Sequence, residues 1–255
     1  MCTVKGAAIP PAPPCFALVL ASTGTQGGSI NPAGAIAGQY VDTAGVFHGL
    51  LRSPDGSITP FDATGAGTVP GQGTLVTFGG GINPAGEIAG GYLDANCALH
   101  SFVRAPDGTI TTFDAPGAGT GPFQGTDASG INPVGTVTSF FIDTSDVFHG
   151  YVRAKDGTFK LFDVTGAGTG PFQGTEPFGL NSPGDIVGSY VDANGVNHGF
   201  LRAKNGGITK FDAPDAGTAG GQGTIPVLNN PADAITGFFI DANGVFHGFL
   251  RTHPE

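Results

Sequence analysis

Apolar residues along this chain come in short, strand-sized runs broken by turn formers. From Glu87 to Ala115 the order is EIAGGYLD, ANCA, LHSFVRA, PDG and TITTFDA. Runs of Ile, Val, Tyr and Phe bounded by Gly, Pro, Asn and Asp predict strands. Asp-Gly and Asn-Gly between such runs predict hairpins, because both central residues of that turn need positive φ. The preceding GGINPAG predicts a short strand that ends in a turn. No segment keeps apolar positions at helical spacing over a useful length, so the chain reads as all-β. A two-residue loop at Asp107-Gly108 would set Phe102 opposite Phe113. The same count pairs Leu50 with Phe61, Tyr151 with Phe162 and Phe200 with Phe211. Cross-strand pairs of this kind contribute roughly 0.2–1 kcal/mol each.

The pattern recurs five times. His48, His100, His149, His198 and His247 stand 52, 49, 49 and 49 residues apart. An Asn lies 17 residues before each, an Asp 6 before and an Arg 4 after. Phe-Asp follows 13 residues after the first four, and a Gln lies 11 past each of those Phe. Four strands per unit, here labelled a (GIN), b (IAGGY), c (HGFLR) and d (TTFD), predict blades of a five-bladed β-propeller with four-stranded antiparallel blades. The fifth copy stops just after strand c. CFALVL, residues 15–20, precedes the first GIN strand where a strand d belongs. It is expected to complete the last blade and close the ring, hiding two sheet edges. Residues 1–14 then form a tail and 15–255 one domain. A β-solenoid is the rival, with shorter coils and no need of that strand.

The motif GIN..G.I.G.Y.D..G..HGFLR resembles the HAF-type extracellular repeat over residues 30–251. Gly stands where that repeat usually has Ala after His in four units, and Ser101 in one; Arg stands where it often has Trp. The resemblance implies a propeller-like protein, exported or of the cell envelope, and transfers no catalytic residues.

Composition narrows the partners. The net charge of −10 opposes nucleic acid, whose phosphates recruit Lys and Arg, and it offers no basic patch to an anionic membrane. No run of about 18 apolar residues is present, so no membrane-spanning helix is expected. All five arginines occupy the repeated position. Cys2, Cys15 and Cys97 form no disulfide framework. A Cys2–Cys15 bridge could tether the tail, and an unpaired thiol is the other reading. A monomer is expected.

For chemistry, the repeated His and Asp are expected to pair within each unit. A three-residue b–c loop would set Asp192 opposite His198, a two-residue loop on the other face. The Arg, about 13 Å along the strand from the His, needs its own acceptor, an Asp of the FD pair or a loop carbonyl. The Gly-rich d–a connections are the expected binding loops. They would gather Gln72, Gln124, Gln173 and Gln222, with Gln26 in the shortened first copy, into an amide ring at the channel mouth. That ring suits a neutral polar small molecule or glycan; the other reading is that each Gln bonds its own or the next loop. Catalysis would need residues that break the symmetry: Glu87, Asp127, Asp146, Glu176, Asp185 and Cys97. Asp127 and Glu176 occupy matching places in consecutive copies, so a hydrolase or lyase using them as acid and base is the alternative. A structural or interaction protein of the envelope is a third. No sequence motif calls for a cofactor or metal.

Overall fold

A computed structural model describes residues 23–76 and 81–252. The described residues form twenty strands and no helix. Unit one holds β1 (Gly24–Ile30), β2 (Ile36–Val41), β3 (Phe47–Arg52) and β4 (Ile58–Phe61). Unit two holds β5 (Gly73–Leu75), β6 (Ile88–Leu93), β7 (Leu99–Arg104) and β8 (Ile110–Phe113). In unit three strand a is split into β9 (Gly125–Thr126) and β10 (Gly130–Ile131), followed by β11 (Val137–Ile142), β12 (Phe148–Arg153) and β13 (Phe159–Phe162). Unit four holds β14 (Gly174–Leu180), β15 (Ile186–Val191), β16 (Asn197–Arg202) and β17 (Ile208–Phe211). Unit five holds β18 (Gly223–Asn229), β19 (Ile235–Ile240) and β20 (Phe246–Arg251). Within each unit a–b and b–c pair antiparallel, as do c–d in units one to four, as the sequence predicts.

The c–d register differs from the expected one by a residue. Ser101, not Phe102, lies opposite Phe113, and Gly49, Gly150 and Gly199 lie opposite Phe61, Phe162 and Phe211. The loop geometry accounts for this. Gly108 has φ +95° while Asp107 does not appear among the positive-φ residues. The Ala105 N–H bonds the Thr109 carbonyl, and the Gly108 N–H bonds the Ala105 carbonyl. The same turn forms whether Pro54 and Pro106 or Lys155 and Lys204 stand first in the loop. What the four copies share is an Asp or Asn whose Oδ1 accepts the N–H two residues on, followed by a Gly of positive φ. This is the three-residue loop of a type I turn closed by an αL residue. The Phe ring consequently lies over the opposite glycine. A Cβ at Gly49 would stand 2.5 Å from the Phe61 ring, and one at Gly150 2.8 Å from Phe162.

The units are joined in one direction. Strand c of each unit meets the start of the next strand a through a parallel bridge: Phe47 with Gly73, Leu99 with Gly125, Phe148 with Gly174, Asn197 with Gly223. The core lies in these joints. Ile88, Tyr92 and Phe102 of unit two pack with Ala37 and Phe61 of unit one. Ile186 and Phe200 of unit four likewise meet Phe162 of unit three. Phe61, Phe113, Phe162 and Phe211 each stand edge-on to an aromatic ring of the next unit, at 6.0–6.4 Å. The next unit's Arg covers the same ring: Arg104 over Phe61, Arg153 over Phe113, Arg202 over Phe162, Arg251 over Phe211, at 4.5–5.0 Å. The repeated Arg thus finds an aromatic face in the neighbour, a contact worth about 0.5–2 kcal/mol. Its acceptor is not the FD aspartate but, for Arg104 and Arg153, the loop carbonyls of Ala105 and Ala154.

On the inner strands the repeated Asn performs two tasks. Asn31 Oδ1 accepts the N–H groups of Ala33 and Ala35, fixing the turn after strand a. Its amide then donates to the carbonyl of Asn83, as Asn83 does to Asn132 and Asn181 to Asn230. Strand β20 pairs with β19 alone among the described residues. The proposed closing strand, residues 15–20, lies outside them.

Candidate functional site

Each strand a begins at a Gly-Thr pair and runs toward its Asn. In β1, β14 and β18 the ladder with strand b slips by one residue, between Gly27 and Ser29, Pro177 and Gly179, and Pro226 and Leu228. Pro177 and Pro226 carry no N–H for the ladder, which places them naturally at such interruptions. The extra residues Gly28, Phe178 and Val227 turn off the strand, as bulge residues do. All three line one cavity of about 750 Å³ bordered by strand a segments of all five units. Its walls are largely apolar, with Ile131, Leu180, Ile225 and Leu228 beside the rings of Phe140, Phe178 and Phe238. Its polar groups include Ser29, Ser129, Asp127 and Glu176. This mixture is the usual make-up of a small-molecule pocket.

The two carboxylates named from the sequence therefore line the same cavity, Glu176 on β14 and Asp127 in the break between β9 and β10. They are held differently. Asp127 Oδ2 accepts hydrogen bonds from Ser129 and Ser139, each at 3.0 Å, and the two hydroxyls also touch one another. The Asp127 backbone carbonyl accepts the Tyr151 hydroxyl at 2.5 Å, and Oδ1 lies over Gly91 of unit two. Burial raises the Asp127 carboxyl above its ordinary value, with the serines pulling the other way. Glu176 has no hydrogen-bonding partner for its carboxyl among the described residues. Burial alone pushes it up to about 7. Both side chains face the cavity, so a water-sized sphere can touch them although protein encloses them.

The other asymmetric residues lie elsewhere. Glu87 pairs with Lys155 at 2.9 Å and accepts the Asn83 amide. Asp185 accepts the Lys204 N–H. Asp146 accepts the Gln124 amide at 2.9 Å. Cys97 is disulfide-bonded, not a free thiol, and the chain's other cysteines lie outside the described residues.

None of the five glutamines lines the cavity. Gln173 Oε1 accepts the Gly170 N–H at 2.9 Å, and its amide donates to Ala193 O of the next unit's b–c turn at 3.2 Å. Gln222 repeats this with Ala219 and Ala242, and Gln72 with Val69 and Ala95. Gln124 accepts the Gly121 N–H and donates to Asp146. These amides staple each d–a loop to the following unit. Gln26 is not their counterpart. It pairs with Gln39 two residues after a glycine set opposite Val41, just as Glu176 pairs with Ser189 two residues after Gly174. Its position corresponds to Glu176 and Asp127, and its carbonyl accepts the Gln39 amide at 3.4 Å.

The histidines also stay within their units. His48, His100, His149 and His198 bond the FD aspartates through Nδ1 at 2.9–3.0 Å, with the b–c turn aspartates 3.5–3.8 Å from Nε2. Opposite each lies not the Asp but the aromatic residue two positions before it, Tyr190 stacking on His198 at 5.0 Å. His247, with no strand d among the described residues, there bonds Asp241 alone. Such half-exposed pairs contribute about 0–1 kcal/mol each.

No family model and no curated protein matches this chain, so the likeness to HAF-type repeats stands on the motif alone. Solved structures of similar shape include an Aleuria aurantia lectin variant in complex with alpha-methyl-L-fucoside. It is 11% identical, with 90% of this chain and 77% of that one covered, at a TM-score of 0.45. BP39L lectin from Burkholderia pseudomallei is 13% identical over 89% and 68%, at 0.44. A variant of AofleA from Arthrobotrys oligospora is 12% identical over 91% and 69%, at 0.46.

Proposed function

We propose that this chain is a five-bladed β-propeller that binds a small molecule in its axial cavity. The observation that carries the reading is the convergence of all five inner strands on one largely apolar cavity holding two enclosed carboxyls. The binding surface is then the bulged strand a, with the d–a loops as scaffold. The test is a thermal-shift screen of small amines, alcohols and neutral sugars, since a ligand that binds only the folded state raises its stability. Leu228→Trp, which fills the cavity, is expected to abolish the shift, whereas Gln173→Ala leaves it. Loss of binding in Gln173→Ala alone would return the site to the loops.

Closure of the ring by residues 15–20 belongs to the same reading and makes 15–255 one domain. Its support is that, among the described residues, β20 pairs with β19 alone and Gly248 meets no Phe, where Gly49, Gly150 and Gly199 each meet one. Replacing Phe16 and Leu18 by Asp is expected to lower the melting temperature by about 5 °C or more; unchanged melting would count against closure. The disulfide at Cys97 supports an exported location.

A second reading, a hydrolase or lyase, is favoured by one observation: Glu176 at about 7 could exchange protons near neutral pH. Product formation from any ligand found in the screen, lost in Glu176→Gln, would establish it.

A further inference from the structure

We propose that the occupant of the axial cavity is an organic cation, a small apolar body carrying an ammonium group held against Glu176. This rests on the reading of the cavity as a ligand site and gives that ligand its chemical class. The charges around the cavity are all of one sign. Asp127 and Glu176 line it, and among the described residues no Lys, Arg or His does. An anion would meet two acidic groups and no donor cation. A polyhydroxylated ligand would leave most of its hydroxyls against apolar wall, each losing its water without a partner. An alkylammonium matches both parts of the surface. Its hydrocarbon lies along Leu180, Ile225 and Leu228, and its charge meets a carboxylate and the rings of Phe140, Phe178 and Phe238. Aromatic faces attract cations, the more so where water is excluded.

The two acids divide the work. Asp127 already receives Ser129 and Ser139 on one oxygen. Glu176 has no donor among the described residues, so its carboxylate is the group with unmet hydrogen-bonding capacity. Asp127 is the other titratable group lining the cavity among the described residues. Near neutral pH part of the empty protein carries a proton on Glu176. A cation displaces that proton, so binding below about pH 7 releases it to solvent.

The experiment is calorimetric titration of the full chain with cyclohexylammonium, cyclohexanol and cyclohexanecarboxylate, at about pH 8 and about pH 5.5. The same ring in three charge states separates shape from charge. The expected result is that the ammonium binds about tenfold or more tightly than the alcohol at the higher pH, and about tenfold more weakly at the lower. The carboxylate is not expected to bind. In Glu176→Gln the ammonium should lose its advantage and its pH dependence, while the alcohol binds as before. Should that variant fold poorly, the pH dependence in the native chain decides. If the alcohol binds as well as the ammonium, or the ammonium's affinity is flat with pH, the cation proposal is overturned and the ligand site stands. If no member of the set binds, and no compound of the wider screen responds to Leu228→Trp, the site itself fails and the proposal with it.

Discussion

Gly125→Ala is expected to unfold the chain or cost it more than about 4 kcal/mol, the range reserved for severe lesions. Gly125 has φ +124°, and a Cβ there would lie 1.9 Å from the Leu99 carbonyl oxygen. That oxygen belongs to the strand against which unit three is docked, so neither side can move without opening the joint. Gly73, Gly174 and Gly223 stand in the same relation to Phe47, Phe148 and Asn197, at 2.0–2.1 Å. Gly34 provides the control. Its φ is +85°, yet nothing lies within 4 Å of its would-be Cβ. Gly34→Ala should cost only the backbone term, about 1–2 kcal/mol. Chemical denaturation of both variants checks the claim; equal losses would show that the joint tolerates a side chain.

The second large effect concerns pH. Burial lifts the Glu176 carboxyl from an ordinary 4.5 to about 7. Between those values the folded protein holds a proton that the unfolded chain has released, so stability falls as pH rises through that window and levels off above it. The gap corresponds to as much as about 3 kcal/mol at pH 8, less by whatever water the cavity admits. Glu176→Gln is therefore expected to be more stable than the native protein at about pH 8 and equal to it near pH 4. Asp127 is raised in the same direction but remains in both proteins, so their difference isolates Glu176. Melting curves across that range measure it, and a difference that does not grow with pH would contradict the geometry.

Strand order and unit period were legible because each rests on residues close in sequence: Asp-Gly and Asn-Gly turns, and Phe-Asp at a fixed distance from His. The hairpin register escapes a count from Asp107-Gly108 because the same dipeptide also serves a three-residue loop, in which the Gly alone takes positive φ. The glutamines looked like a ligand ring because they recur in step, but recurrence serves a staple between units equally well. Their acceptors, Ala95, Ala193 and Ala242, are backbone carbonyls twenty or more residues away, which no side-chain pattern records. Gln26 was set in the wrong row because the first copy lacks most of its d–a connection. Asp127 and Glu176 were visible as breaks in symmetry. Their enclosure was not, since it depends on bulges for which Pro177 and Pro226 were the sole local sign.

The four described joints between units share one handedness of parts, a ring offered by one member and an arginine laid on it by the next. A head-to-tail contact of that kind is heterologous, and nothing in it counts copies. If the ring closes as proposed, how many copies it holds is a matter of the small rotation at each joint, summed around the axis. In such a ring, a duplication that inserted one more copy would satisfy every local contact and strain only the circumference.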